Sequence, residues 1–240
     1  MSGRNWLSGA AVALAAVAVA AGARAAPVYI GLQENGVNSG NIVQEATGNG
    51  SASLTNFTYG DSTHGFFLLN VTAQGTPPLP EPDLNSTSLD ATASHPGTIS
   101  IYVTELNQFP SPSAGNVFKS LFQSGLTFDA GATVTESTYW DSCGVAGPCA
   151  SSFIFDTNHL LSTTTFTSGG GTVTAYSSTP VPWLGATPIE VTEVFTFTLT
   201  NLNSSAGGTI DLSVAPEPTS VALLASGLLG LGALRRRKKS

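Results

Sequence analysis

Thr98-Ile99-Ser100-Ile101-Tyr102-Val103-Thr104 is the stretch whose reading decides the fold. Ile99, Ile101 and Val103 alternate with Ser100, Tyr102 and Thr104. That period of two puts one face of a strand in a core and the other in water, as in an antiparallel sheet with one solvated side.

The same pattern spreads outward in both directions, broken by Gly, Pro, Asn and Ser. On the N-terminal side, residues 28–32, 42–46, 54–59 and 66–73 read as strands. Turns are marked by Asn35-Gly36, Asn38-Ser39-Gly40 and Gly48-Asn49-Gly50. Residues 76–90 contain Pro77-Pro78-Leu79-Pro80-Glu81-Pro82 and read as a rigid extended surface loop. On the C-terminal side, residues 113–125 are the one helix expected in the body. There Val117, Phe118, Leu121 and Phe122 fall on one helical face, Lys119 and Gln123 on the other, and Gly125 stands at the stop. Strands are expected again over 126–128, 133–140, 152–155, 163–167, 172–176, 189–199 and 209–214. In the longest of these Glu193 shares parity with Ile189, Val191, Phe195, Phe197 and Leu199, so either a bulge near Val194 or an edge position is expected. About ten strands with short turns and no βα alternation predict an all-β protein, an antiparallel β-sandwich of jelly-roll or Greek-key type.

The two ends differ from this body. Arg4, the apolar run over 7–21 and Ala23-Ala25 around Arg24 read as a signal peptide cleaved after Ala25. At the other end Pro216-Glu217-Pro218 precedes an uncharged run bounded by Thr219 and Leu234, followed by Arg235-Arg236-Arg237-Lys238-Lys239. Sixteen helical residues rise about 24 Å, somewhat less than a bilayer core of about 30 Å, and Arg235 can snorkel to make up the difference. The cationic flank predicts a cytoplasmic C-terminus and a body outside. Each proline holds the residue before it extended, so the tripeptide is a stiff non-helical segment at the outer lipid boundary. Pro80-Glu81-Pro82 repeats it without the apolar run or cations and reads as loop.

The ordered triplet of motif, span and cations resembles a PEP-CTERM sorting signal, found on exported proteins of bacteria that make extracellular polysaccharide. The resemblance covers about a ninth of the chain. It implies recognition by an exosortase, a membrane-embedded Cys-Arg-His protease, with Pro216, Glu217 and Pro218 as the recognition element of a substrate. The expected organisation is a signal peptide over 1–25, a β-rich extracytoplasmic domain over 26–213, and a sorting and anchor segment over 214–240. The expected partners are an exosortase, the cytoplasmic membrane during sorting, and extracellular polysaccharide. The destination is the envelope or the extracellular matrix.

Between signal and tail Lys119 is the only basic residue against fourteen acidic ones, a net of −13. Such a surface repels nucleic acid. Cys143 and Cys149 enclose five residues and, in an oxidising compartment, read as a local disulfide; a metal site would need two further ligands, for which His159 is the nearest candidate.

No catalytic constellation stands out. His64, His95 and His159 show no HExxH or HxH spacing, there is no GxSxG elbow, and no glycine-rich loop runs into a lysine. The expectation is therefore no enzyme, no cofactor and no metal. Competing readings remain open. Glu190 and Glu193 are a carboxylate pair of the kind glycoside chemistry uses. Tyr139, Trp140 and Trp183 are candidates for stacking on sugar rings or for core packing. Loops holding Glu81, Asp83, Asp90 or Asp141 offer calcium ligands. The ranks Thr196-Thr198-Thr200 and Thr163-Thr165-Thr167 suit an ice-binding surface or ordinary solvent-facing strands.

Overall fold

A computed structural model describes residues 26–75, 83–108, 117–125, 132–143, 149–167, 171–177, 180–181 and 187–215. Within them the chain forms twelve strands: β1 (Pro27–Glu34), β2 (Val43–Asn49), β3 (Ser51–Asp61), β4 (Gly65–Gly75), β5 (Asp83–Ala93), β6 (Gly97–Gln108), β7 (Phe118–Ser124), β8 (Thr133–Ser142), β9 (His159–Phe166), β10 (Gly171–Tyr176), β11 (Ile189–Leu199) and β12 (Ser205–Val214). Two antiparallel six-stranded sheets make a sandwich. The first runs β2-β1-β6-β11-β8-β9 and the second β10-β7-β12-β5-β4-β3. From β5 onward the chain crosses repeatedly between the sheets, so most neighbours within a sheet are distant in sequence.

The alternation of residues 98–104 becomes the centre of β6, which lies between β1 and β11. Ile99, Ile101 and Val103 are fully buried in a core shared with Val28, Ile30, Leu32, Phe195 and Phe197. Phe67, Leu69, Phe118, Phe122, Ile210 and Leu212 face them from the second sheet. Each such side chain contributes about 1.5–3 kcal/mol on burial.

Several expectations are corrected. Phe118–Ser124, expected as helix, is strand β7. Phe118 and Phe122 stand four positions apart, which suits one face of a helix and one face of a strand equally. Ser120 and Ser124 complete the buried row at period two, and β10 and β12 supply the backbone partners on both sides. Residues 83–90, expected within a loop, belong to β5, which is central between β12 and β4. Residues 152–155 are not a strand; Ser151–Phe153 is a single 3-10 turn. β11 is a central strand between β6 and β8, and its irregularity lies between Ile189 and Val191, not near Val194. Glu193 thus sits neither at an edge nor beside a bulge but inside the core. The turn over 36–40 uses left-handed backbone at Gly36, Asn38, Ser39 and Gly40, as its Asn and Gly content predicts. The expected strand over 126–128 and the Pro80-Glu81-Pro82 loop lie outside the described residues, as do residues 1–25 and 216–240.

Candidate functional site

The two faces of the first sheet carry its polar chemistry. On the outer face the pairing register places hydroxyls side by side across strands. Gln33, Ser100, Thr196, Thr135 and Thr165 form one row over β1, β6, β11, β8 and β9. Thr98, Thr198 and Thr133 form the next, and Tyr102, Val194, Ser137 and Thr163 lie on the other side. The hydroxyls bond one another: Ser100 with Thr196 at 3.0 Å, Thr98 with Thr198 at 3.1 Å, Thr135 with Thr165 at 2.9 Å and Ser137 with Thr163 at 2.8 Å. An open depression of about 290 Å³ beside these rows is lined by Gln33, Asn35, Gly40, Thr98 and Ser100. No charged side chain occurs in the three rows. Of the two threonine ranks, Thr196, Thr198, Thr163 and Thr165 join this surface, while Thr200 and Thr167 stand beyond their strand ends.

One end of the outer face is covered. Residues 149–158 leave the disulfide between Cys143 and Cys149, make the 3-10 turn and cross over the sheet. The Phe155 ring lies on Gly31, where a side-chain Cβ would come within 2.6 Å of it, and meets Tyr102 edge-on at 6.1 Å. Beneath this segment Asp141 and Glu190 are direct cross-strand neighbours on β8 and β11. Asp141 receives the Asn158 amide and the Ser142 main-chain N–H, the latter at 2.7 Å, and lies 3.4 Å from His159 Nδ1. Burial, with Asp156 and Asp141 nearby, pushes the Glu190 carboxyl up to about 9, and the Asp156 main-chain amide offsets this only in part. Burial and Asp141 likewise raise Asp156.

The inner face holds three more carboxylates in the apolar core, Glu105, Glu136 and Glu193, all fully buried. Glu193, between Val103 and Thr138, accepts the Ser86 hydroxyl from β5 of the opposite sheet. Ser120 of β7 meets Thr138 of β8 at 2.8 Å, a further polar contact that ties the sheets through the core. Glu105 abuts Gly75 of β4 and Glu136 abuts Gly208 of β12; at both glycines a methyl group would collide with the carboxylate. Burial drives Glu136 to about 8 against the pull of the Gln123 and Thr209 main-chain N–H groups.

The sequence candidates are redistributed by this geometry. Glu190 and Glu193, three apart on one strand, point to opposite faces and cannot act on one substrate. Trp140 packs against the core and stacks on His159 at 4.8 Å, while Tyr139 is on the outer face. Trp183 and Glu81 lie outside the described residues. Asp83 and Asp90 are on strand β5 and Asp141 is on strand β8, so none of the three stands in the loop expected for it. Among the described residues no group of three His, Cys, Asp or Glu is arranged to hold a metal ion. The histidines stay apart. His64 is fixed by Asp61 in a tight turn, with Nδ1 3.0 Å from the carboxylate. His95 meets the Ser94 hydroxyl at 3.1 Å, and His159 belongs to the covered end. Sequence reading missed the buried Glu34 at the end of β1, raised to about 6 by burial against the opposing effect of His64. Its parity with Val28, Ile30 and Leu32 was the available signal.

Residues 214–238 match a family model described as the PEP-CTERM protein-sorting motif. The chain carries a PEP-CTERM sorting signal. It is thereby marked as an exported protein processed by an exosortase. No curated protein sequence matches this PEP-CTERM chain. Among solved structures, it is similar to TmCBM61 in complex with β-1,4-galactotriose: 7% identity, 67% of this chain and 88% of that one covered, TM-score 0.29. It is also similar to the mannan-recognising carbohydrate-binding module TmCBM27, at 7% identity, with 70% and 90% covered and a TM-score of 0.31. A third is the extra C-terminal domain of an exo-1,3/1,4-β-glucanase, ExoP, from a Pseudoalteromonas species: 11% identity, 80% and 88% covered, TM-score 0.32. Likeness at this level bears on neither ligand nor activity. Among the described residues no helix is long and apolar enough to cross a membrane; the sorting tripeptide, Thr219 to Leu234 and Arg235 to Lys239 lie outside those residues.

Proposed function

We propose that this protein is exported through its N-terminal signal and held transiently by the 219–234 segment with its body outside the cytoplasmic membrane. An exosortase then cuts it near Pro216-Glu217-Pro218 and passes it to the envelope or extracellular matrix. The observation that carries this reading is the match of residues 214–238 to the sorting motif, at the C-terminal side of a body with one lysine and fourteen acidic residues. The cations at 235–239 cannot readily cross the bilayer and so fix the cut on the outer side. The body acts as a structural or polysaccharide-associated module without catalysis of its own. Fractionation with intact-mass analysis in wild-type and exosortase-deleted cells tests the sorting step. The expected wild-type product lacks Arg235 to Lys239, and the deletion strain accumulates the uncut chain in its membranes. A wild-type product that keeps those residues overturns the reading.

A second reading is favoured by the uncharged hydroxyl rows on the outer face of the first sheet: a surface for neutral polysaccharide, to which alternating donors and acceptors suit sugar hydroxyls. Pull-down on neutral glycans, lost on Thr196→Arg and kept on a remote surface change, would support it. Equal binding by both variants would count against it.

A further inference from the structure

Residues 149–158 are tied at both ends. The disulfide fixes one end to the exit of β8, and the Asn158 amide on Asp141 fixes the other at the entry to β9. Between them Phe155 adopts φ +67°, a left-handed conformation that a bulky side chain seldom takes and that persists only where its surroundings hold it. What holds it is the seat of its ring on Gly31 and Tyr102. Next to it Asp156 stands over Glu190, which is fully buried and whose oxygens make no hydrogen bond of ordinary geometry. On the same outer face, between Tyr102 and Glu190, the Thr104 and Thr192 hydroxyls bond at 2.7 Å and are buried too.

We propose that residues 149–158 form a proton-gated strap over the outer face of the first sheet, closed while Glu190 beneath it holds its proton and opened as Glu190 loses it. The ionisable groups facing Glu190 are Asp141 from β8 and Asp156 from the strap, and His159 from β9 reaches the cluster only through Asp141. Tyr139 stands two positions along β8 on the same face. The body's single lysine, Lys119, is on β7 of the opposite sheet. The cluster thus holds three carboxyl groups and no Lys or Arg among the described residues. A charge on Glu190 in this setting is desolvated and repelled by Asp156 and Asp141, and lifting the strap admits water to all three. In the lifted state Glu190 regains an ordinary carboxylate value near 4.5, against about 9 when covered. Opening therefore releases a proton, and its equilibrium constant rises up to about tenfold per pH unit between those values. Lifting would extend the open hydroxyl rows with Gly31, Tyr102 and the Thr104–Thr192 pair.

Hydrogen exchange of the full-length protein, corrected for the intrinsic pH dependence of exchange, tests this at pH 6 and pH 8.5, with the amides of β6 as internal reference. Strap amides should lose at least about tenfold in protection relative to β6 across that interval. Glu190→Gln, near-isosteric and without a proton to lose, should hold strap protection constant within about twofold. Asp156→Asn, half-buried on the strap itself, should give an intermediate loss and guards against a folding defect in the first variant. Flat protection in the wild type, or a loss in Glu190→Gln equal to that of the wild type, overturns the proposal.

Discussion

The inner and outer faces of the first sheet are built by the same strands, and they treat polar side chains in opposite ways. Along β11, Thr196 and Thr198 look outward, where each hydroxyl has a partner on β6 and water beside it. Glu193, on the inward side, lies in apolar surroundings with the Ser86 hydroxyl reaching it from the other sheet. A hydroxyl is neutral at every working pH, and a half-exposed one loses little when its partner is removed. A buried carboxyl is costly once charged and so keeps its proton. Polar content in the core thus makes the domain sensitive to pH, while similar polar content on the surface does not.

The contrast can be pressed hardest at Phe195, inward between Ile101 and Glu136. Phe195→Ala should cost about 3–5 kcal/mol in denaturant unfolding, since the cavity would open beside a carboxylate that cannot fill it. A loss below about 1 kcal/mol would mean the inner face is far less tightly packed than described.

Next in size is the pH dependence of stability. Glu34, Glu136 and Glu190 are raised to about 6, 8 and 9, above their value of 4.5 in the unfolded chain. Their stabilising effect is complete below about pH 4.5 and is lost as pH rises through the folded values. Each group adds a slope of up to about 1.4 kcal/mol per pH unit within its window, so stability should peak on the acid side. Glu136→Gln should flatten the slope between pH 4.5 and 8. Urea midpoints measured every pH unit check both statements, and a stability maximum above pH 8 would contradict them.

The smallest effect is expected outside. Thr196→Val trades the Ser100 contact for a branched side chain with good strand propensity, and stability should stay within about 0.5 kcal/mol of the parent. A cost well above 1 kcal/mol would show that the hydroxyl rows hold the sheet together, as the inner residues do.

How far all this was legible from the chain varies by element. The alternation at 98–104 gave both the strand and its buried face, because period two is a local property that any half-buried strand must satisfy. The segment 118–124 could not be read that way. Phe118 and Phe122 satisfy either periodicity, and only the neighbours β10 and β12 resolve it. The strand character of 83–93 was masked by the prolines just before it and by a composition of Asn, Ser, Thr and Asp. Its central place follows from partners on both sides.

By itself the sequence determined which residues alternate, that the body is a β-sandwich short of basic groups, and that its tail carries the sorting triplet; each is written in consecutive residues. Tertiary structure alone decided that Asp141, Asp156 and Glu190 converge, that Glu190 and Glu193 part to opposite faces, and that hydroxyls of β6, β11, β8 and β9 line up in rows. These groupings depend on which strands pair and in what register. Pairing is settled by how two six-stranded sheets jointly bury their apolar residues, a condition that no single stretch of the chain contains.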